Sequence, residues 1–133
     1  MKYLLDTNAC IRYINGRSPK LRARLSSTPR QDVAVSTITK AEMFYGSAKS
    51  QTPQRSREKQ IEFLTTLFTL PFDDMAAAAY GPLRADLEHK GTPIGQYDML
   101  IAAVALANDL ILVTHNVGEF GRIMGLKIED WEA

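Results

Sequence analysis

Short apolar runs alternate with helix-length segments along almost the whole chain. Lys2 to Leu5, Asp32 to Val35 and Leu110 to Thr114 are too short for helices and read as buried strands. Thr7 to Asn15 reads as a helix closed by Gly16, and Pro19 to Ser26 as a second, rich in Arg22 and Arg24. Ser36 or Thr37 can cap the helix that carries Thr39, Glu42 and Met43. Gly46 to Arg55 reads as a loop. Glu58 to Phe68 then repeats Ile61, Leu64, Leu67 and Phe68 at helical spacing. Leu67 to Phe72 has room for a short strand. Asp73-Asp74 opens a long helix to about Lys90, with Pro82 marking a kink or break.

Asp98 to Asn108 is nearly all apolar, the pattern of a fully buried helix. Asn116 to Ile123 reads as a short helix or turn, and Leu126 to Ile128 as a last edge strand. Strand and helix alternating in this way predict one α/β domain over residues 1–133, a three-layer sandwich with a mostly parallel central sheet. Ligands of such sheets collect beyond the carboxyl ends of the strands. Asp6 directly follows the first strand, and Asn116 and Glu119 follow the strand ending at Thr114.

Four acids stand at the edges of apolar segments: Asp6, Glu42, Asp98 and Glu119. A charge there is costly unless something compensates it. Each acid also has an ordinary reading. Asp6 and Asp98 can cap the helices they precede, and Glu42 and Glu119 can be surface acids. Caps need not converge on one rim, whereas metal ligands must. Mg²⁺ and Mn²⁺ take oxygen ligands, one or two carboxylates with waters retained, and activate water toward phosphate esters.

Other chemistries find no support. His89 and His115 are the only histidines and lack a zinc-type set of ligands, and His115 reads as an exposed loop residue. No glycine-rich phosphate loop with its Lys-Ser/Thr is present. Asp6-Thr7-Asn8 lacks the second aspartate of a haloacid-dehalogenase-type phosphatase and the adjacent acids of a receiver domain. Cys10 is the single cysteine, so no internal disulfide forms, which fits a cytoplasmic protein. The apolar run Met99 to Ala107 is too short to span a bilayer, and no signal peptide is visible.

The net charge of +1 hides an asymmetry. Residues 1–60 hold 12 Lys/Arg against 4 Asp/Glu, and residues 61–133 hold 4 against 11. A basic half attracts nucleic acid through phosphate contacts, although solvated helix faces give the same count.

Four motifs in order resemble the PIN-domain family. They are Leu4-Leu5-Asp6-Thr7-Asn8; Ser36 to Glu42 with Tyr45-Gly46; Pro93 to Ala102 around Asp98; and Leu112 to Asn116 with Glu119-Phe120. Within that family the chain is most similar to the VapC-type toxins of bacterial toxin–antitoxin pairs. The resemblance implies an endoribonuclease that needs Mg²⁺ or Mn²⁺. By it, Asp6 and Asp98 bind the metal directly, and Glu42 binds through water or orients the attacking water. Glu119 supplies a fourth acid, Thr114 matches the family's hydroxyl position, and Asn116 and Asn8 lie behind them. Many PIN domains carry aspartate where this chain has Asn116, so one firmly held ion is expected rather than two.

The resemblance further implies a structured RNA substrate, with the anticodon region of a tRNA foremost. It also implies a VapB-type antitoxin that pushes a basic side chain among the acids, and a homodimer. Arg17, Arg22 and Arg24 are candidates for tracking the RNA backbone, from charge alone. Two other classes stay open at this point: a module that binds RNA or a partner without cutting, and a structure-specific DNA nuclease.

Overall fold

The computed structural model describes residues Met1–Ala133. Five strands, β1 (Tyr3–Leu5), β2 (Val33–Ser36), β3 (Phe68–Leu70), β4 (Ile111–Val113) and β5 (Ile128–Glu129), form one sheet in the order β3-β2-β1-β4-β5. Every pairing is parallel, with Tyr3 opposite both Val33 and Ile111. β1 is therefore central, and the strand order reverses beside it.

The period of two along the strands builds two cores. Leu4, Ala34 and Leu112 face one side, where α5 (Asp74–His89), α6 (Gln96–Ala107) and α7 (Val117–Phe120) cover them. Tyr3, Leu5, Val33, Val35 and Val113 face the other, under α1 (Thr7–Ile14), α2 (Pro19–Ser26), α3 (Thr37–Ala48) and α4 (Pro53–Leu64). The chain runs outward from β1 to β3 and then returns to β4. Right-handed crossovers put those two directions on opposite faces. Leu112 is fully buried on the first face. Leu112→Ala is expected to cost about 3 kcal/mol, read from urea denaturation.

Local signals explain most helix starts. Asp6, Ser18, Ser36 and Asp73 each accept a bond from a first-turn N–H, at Ala9, Leu21, Thr39 and Ala76. Gly16 follows α1 with φ 66°, a conformation that favours glycine.

Three expectations are corrected. Residues 46 to 55 are not one loop: α3 continues through Gly46 to Ala48, and α4 begins at Pro53 instead of Glu58. Gly46 in a helix costs about 1 kcal/mol against alanine, which packing of its neighbours Met43 and Ser47 offsets. Pro53 occupies the first helical position, where its missing N–H costs nothing. The helical stretch also ends earlier than Phe68, which is in β3. Finally, Pro82 lies inside a continuous α5. Both Pro82 and Ala78, four residues before it, are exposed, so the carbonyl left without a donor faces water.

Candidate active site

The acids meet at the carboxyl edge of the sheet, where the strand order reverses. Asp6 leaves β1, and its backbone N–H still bonds Val113 O at 3.1 Å, fixing it beside the end of β4. The side chain is buried, and Oδ1 accepts the Ala9 N–H at 2.8 Å. Asp6 is thus a helix cap and a member of the rim at once. Burial raises its pKa first. The Thr114 hydroxyl and the Ala9 N–H pull it back, and the charges of Glu132 and then Glu42 push it up again.

Asp98 is not the cap of its helix. α6 begins at Gln96 after Gly95, which places Asp98 in the first turn with no capping bond. A helix N-terminus favours a charged carboxylate. Desolvation outweighs that here, joined by the charges of Asp6, Glu42 and Glu119, and the Asp98 pKa rises to about 6. One side chain therefore feels the other three acids, so α6, β1, α3 and α7 bring them onto one rim.

Glu42 is held by hydroxyls. Thr7 Oγ1 donates to Glu42 Oε1 at 2.6 Å and lies 3.1 Å from Thr39 Oγ1, which is 3.4 Å from Ser36 Oγ. A hydroxyl has one proton, and the carboxylate is the stronger acceptor. Thr7, Ser36 and Thr39 are buried, so this line of hydroxyls fixes Glu42 from below. Thr114 is also buried, and its Oγ1 accepts the Asn116 N–H at 3.0 Å. Asn116 contributes its backbone to this turn. Asn8 is exposed and lines a cleft beside Glu42.

Two features carried no local signal in the sequence. Glu132 folds back to become a fifth acid near Asp6, and Arg12 of α1 pairs with it across 120 positions. The hydroxyl line under Glu42 joins segments more than 30 residues apart. Cys10 is fully buried, with its thiol pushed well up by burial and then by Asp6, so it is no nucleophile.

The arginines do not join the acids. Arg22 bonds Tyr13 O at 3.2 Å and stacks over the Tyr13 ring, at the end of α1 opposite Asp6. Arg24 lies 3.3 Å from Glu129 and over the Trp131 ring. Arg17 is exposed beyond Gly16. His115 is exposed and pairs with Asp130 at 3.0 Å.

No three His, Cys, Asp or Glu side chains converge into a ready-made cage for an ion. An all-oxygen donor set with mutual repulsion and a raised Asp98 still suits Mg²⁺ or Mn²⁺, which need only one or two carboxylates besides water and substrate oxygens.

Comparison with known proteins agrees with this reading of the fold. Residues 3–124 match the PIN domain. The chain belongs to the PIN-domain family. Its near relatives place it with the VapC ribonucleases of that family. It is 40% identical over 131 residues to the tRNA(fMet)-specific endonuclease VapC of Salmonella typhimurium, covering 98% of both chains. It is 37% identical, at the same coverage, to the protein of that name from Shigella flexneri. Its fold superimposes with a TM-score of 0.94 on a crystal structure of DNA-bound VapBC from Salmonella typhimurium, at 40% identity and 98% coverage of both chains.

Proposed function

We propose that this ribonuclease hydrolyses an RNA phosphodiester with one Mg²⁺ or Mn²⁺ held chiefly by Asp6 and Asp98. The observation that carries the reading is the rise of Asp98 to about 6 under the charges of Asp6, Glu42 and Glu119. Four acids in mutual repulsion form a site for positive charge. When bound there, a divalent ion lowers the pKa of an attacking water and neutralises charge on the phosphoryl group.

The chain's own groups do the rest. The Thr7 hydroxyl holds Glu42 in place to orient that water and take its proton. Thr114 and the Ala9 N–H keep Asp6 fixed and favour its charged form against its burial. Glu119 adds negative charge on the side of α7, and Asn116 shapes the turn behind Thr114.

A tRNA is the proposed substrate, supported by the substrate named for the Salmonella and Shigella relatives. A VapB-type antitoxin is the proposed partner, as in the similar VapBC complex, and the toxin itself is proposed to be a homodimer. No helix is long and apolar enough to cross a membrane, and the proposed place of action is the cytoplasm.

The test is cleavage of total tRNA by antitoxin-free protein with Mg²⁺ or Mn²⁺, beside EDTA and an Asp6 variant. The variant matters. Asp6→Ala removes the α1 cap, at about 1 kcal/mol, as well as the charge. Asp6→Asn keeps an acceptor for the Ala9 N–H, so lost activity reports the carboxylate alone. Discrete fragments from the parent, absent with EDTA and with Asp6→Asn, are expected. Fragments that persist in EDTA would refute the metal-dependent reading.

A further inference from the structure

A cleft of about 570 Å³ opens beside Glu42. Thr7, Asn8, Glu42, Tyr45, Lys49 and Tyr97 are among the residues that line it. Tyr45 is 67% exposed and Tyr97 58%, although each adjoins a helix face that packs inward. Tyr97 immediately precedes Asp98, and Tyr45 is one turn along α3 from Glu42. Large aromatic surface left open at that position needs a partner.

The charge of the rim says which kind. Lys49 Nζ sits 4.8 Å above the Tyr45 ring and has no carboxylate within ion-pair distance. Gly46 and Glu42 also line a second cleft, bordered by Lys59, whose ammonium likewise pairs with no carboxylate. A phosphate chain that approaches four carboxylates meets repulsion, and unpaired ammonium groups beside them offset it. A π-face beside an ammonium group that pairs with no carboxylate fits a nucleobase with its phosphate. By contrast, Arg22 and Arg24 are held by Tyr13, Glu129 and Trp131.

We infer that the cleft between Tyr45 and Tyr97 is a stacking subsite for one unpaired nucleotide flanking the bond to be cut, with Lys49 on its phosphate. The inference rests on the ribonuclease reading above and adds a specificity-determining site to it. It requires the RNA to present a single-stranded base beside the scissile bond, because a paired base has no free face to offer.

Binding separates the subsite from the chemistry. Fluorescence anisotropy would follow a labelled oligouridylate, and the same chain without bases, on protein carrying Asp98→Asn. Tyr45→Ala and Tyr97→Ala are each expected to weaken oligouridylate binding about tenfold and leave the abasic chain unaffected. Tyr45→Phe and Tyr97→Phe keep the ring and should bind as the parent does. Lys49→Met should weaken both probes alike and flatten the salt dependence. Equal binding by the alanine variants would overturn the subsite, as would failure of the parent to bind oligouridylate. Unchanged RNA binding with a shifted sedimentation coefficient would instead make the cleft a contact between copies of the chain. In any of these cases, continued cleavage of tRNA by the native protein would leave the ribonuclease reading standing.

Discussion

Asp98→Asn is expected to cut RNA cleavage by about a thousandfold while raising the melting temperature of the metal-free protein at pH 8. The two effects have one cause. Asp98 is half-buried among Asp6, Glu42 and Glu119, and its pKa stands at about 6 against an ordinary 3.8. The folded protein therefore holds the Asp98 proton more tightly than the unfolded chain does. Stability from this group is fully present below pH 3.8 and is lost as pH rises through about 6. At pH 8 the charged carboxylate opposes folding. Because the group is partly in water, the penalty is about 1 kcal/mol, well short of what the full shift would give. Asparagine removes it, which corresponds to about 4 °C. Melting curves between pH 4 and pH 8 should show the parent losing stability across that range from this source and the variant following a flatter course. A variant that melts no higher than the parent at pH 8 would mean that the acids do not repel one another.

The second large effect is stabilisation by the ion itself. Mn²⁺ or Mg²⁺ at about a hundred times its dissociation constant is expected to stabilise the folded protein by about 2.7 kcal/mol, or roughly 11 °C. The rise should fade as pH falls through about 6, because protonated Asp98 no longer offers its oxygen. It should also shrink sharply in Asp98→Asn. Thermal melts of EDTA-treated protein with each ion at pH 8 and pH 5 measure this directly. An equal rise at both pH values would place the bound ion somewhere other than beside Asp98.

Much of this site was legible before any coordinates. Asp6 and Asp98 interrupt apolar runs, and burying a charge at such a point demands compensation. The three clear strands and the order of the motifs placed Asp6 and Thr114 at one sheet edge, which the all-parallel topology bears out. What sequence could not show was pairing over distance. Nothing local to Glu132 announces that Arg12 holds it near Asp6, and nothing around Arg24 announces Glu129 and Trp131. Positive charge in the first half of the chain pointed to Arg17, Arg22 and Arg24 as an RNA track. In the structure, Arg22 contacts Tyr13 and Arg24 contacts Glu129 and Trp131, while Lys49 and Lys59 line clefts shared with Glu42. The boundary errors have a similar origin. Gly46 weakens a helix locally, but the packing of Met43 and Ser47 carries α3 past it. Thr52-Pro53 was a start signal read as part of a loop.

The central position of β1 has a consequence in time. Its two neighbours are Val33–Ser36, made soon after it, and Ile111–Val113, made more than a hundred residues later. Asp98 and Thr114 lie on that late side. A ribosome that has finished two-thirds of this chain has therefore produced a strand with one edge open and no working rim. That edge is completed only when β4 docks, so a nascent chain of that length is expected to be unable to cut RNA.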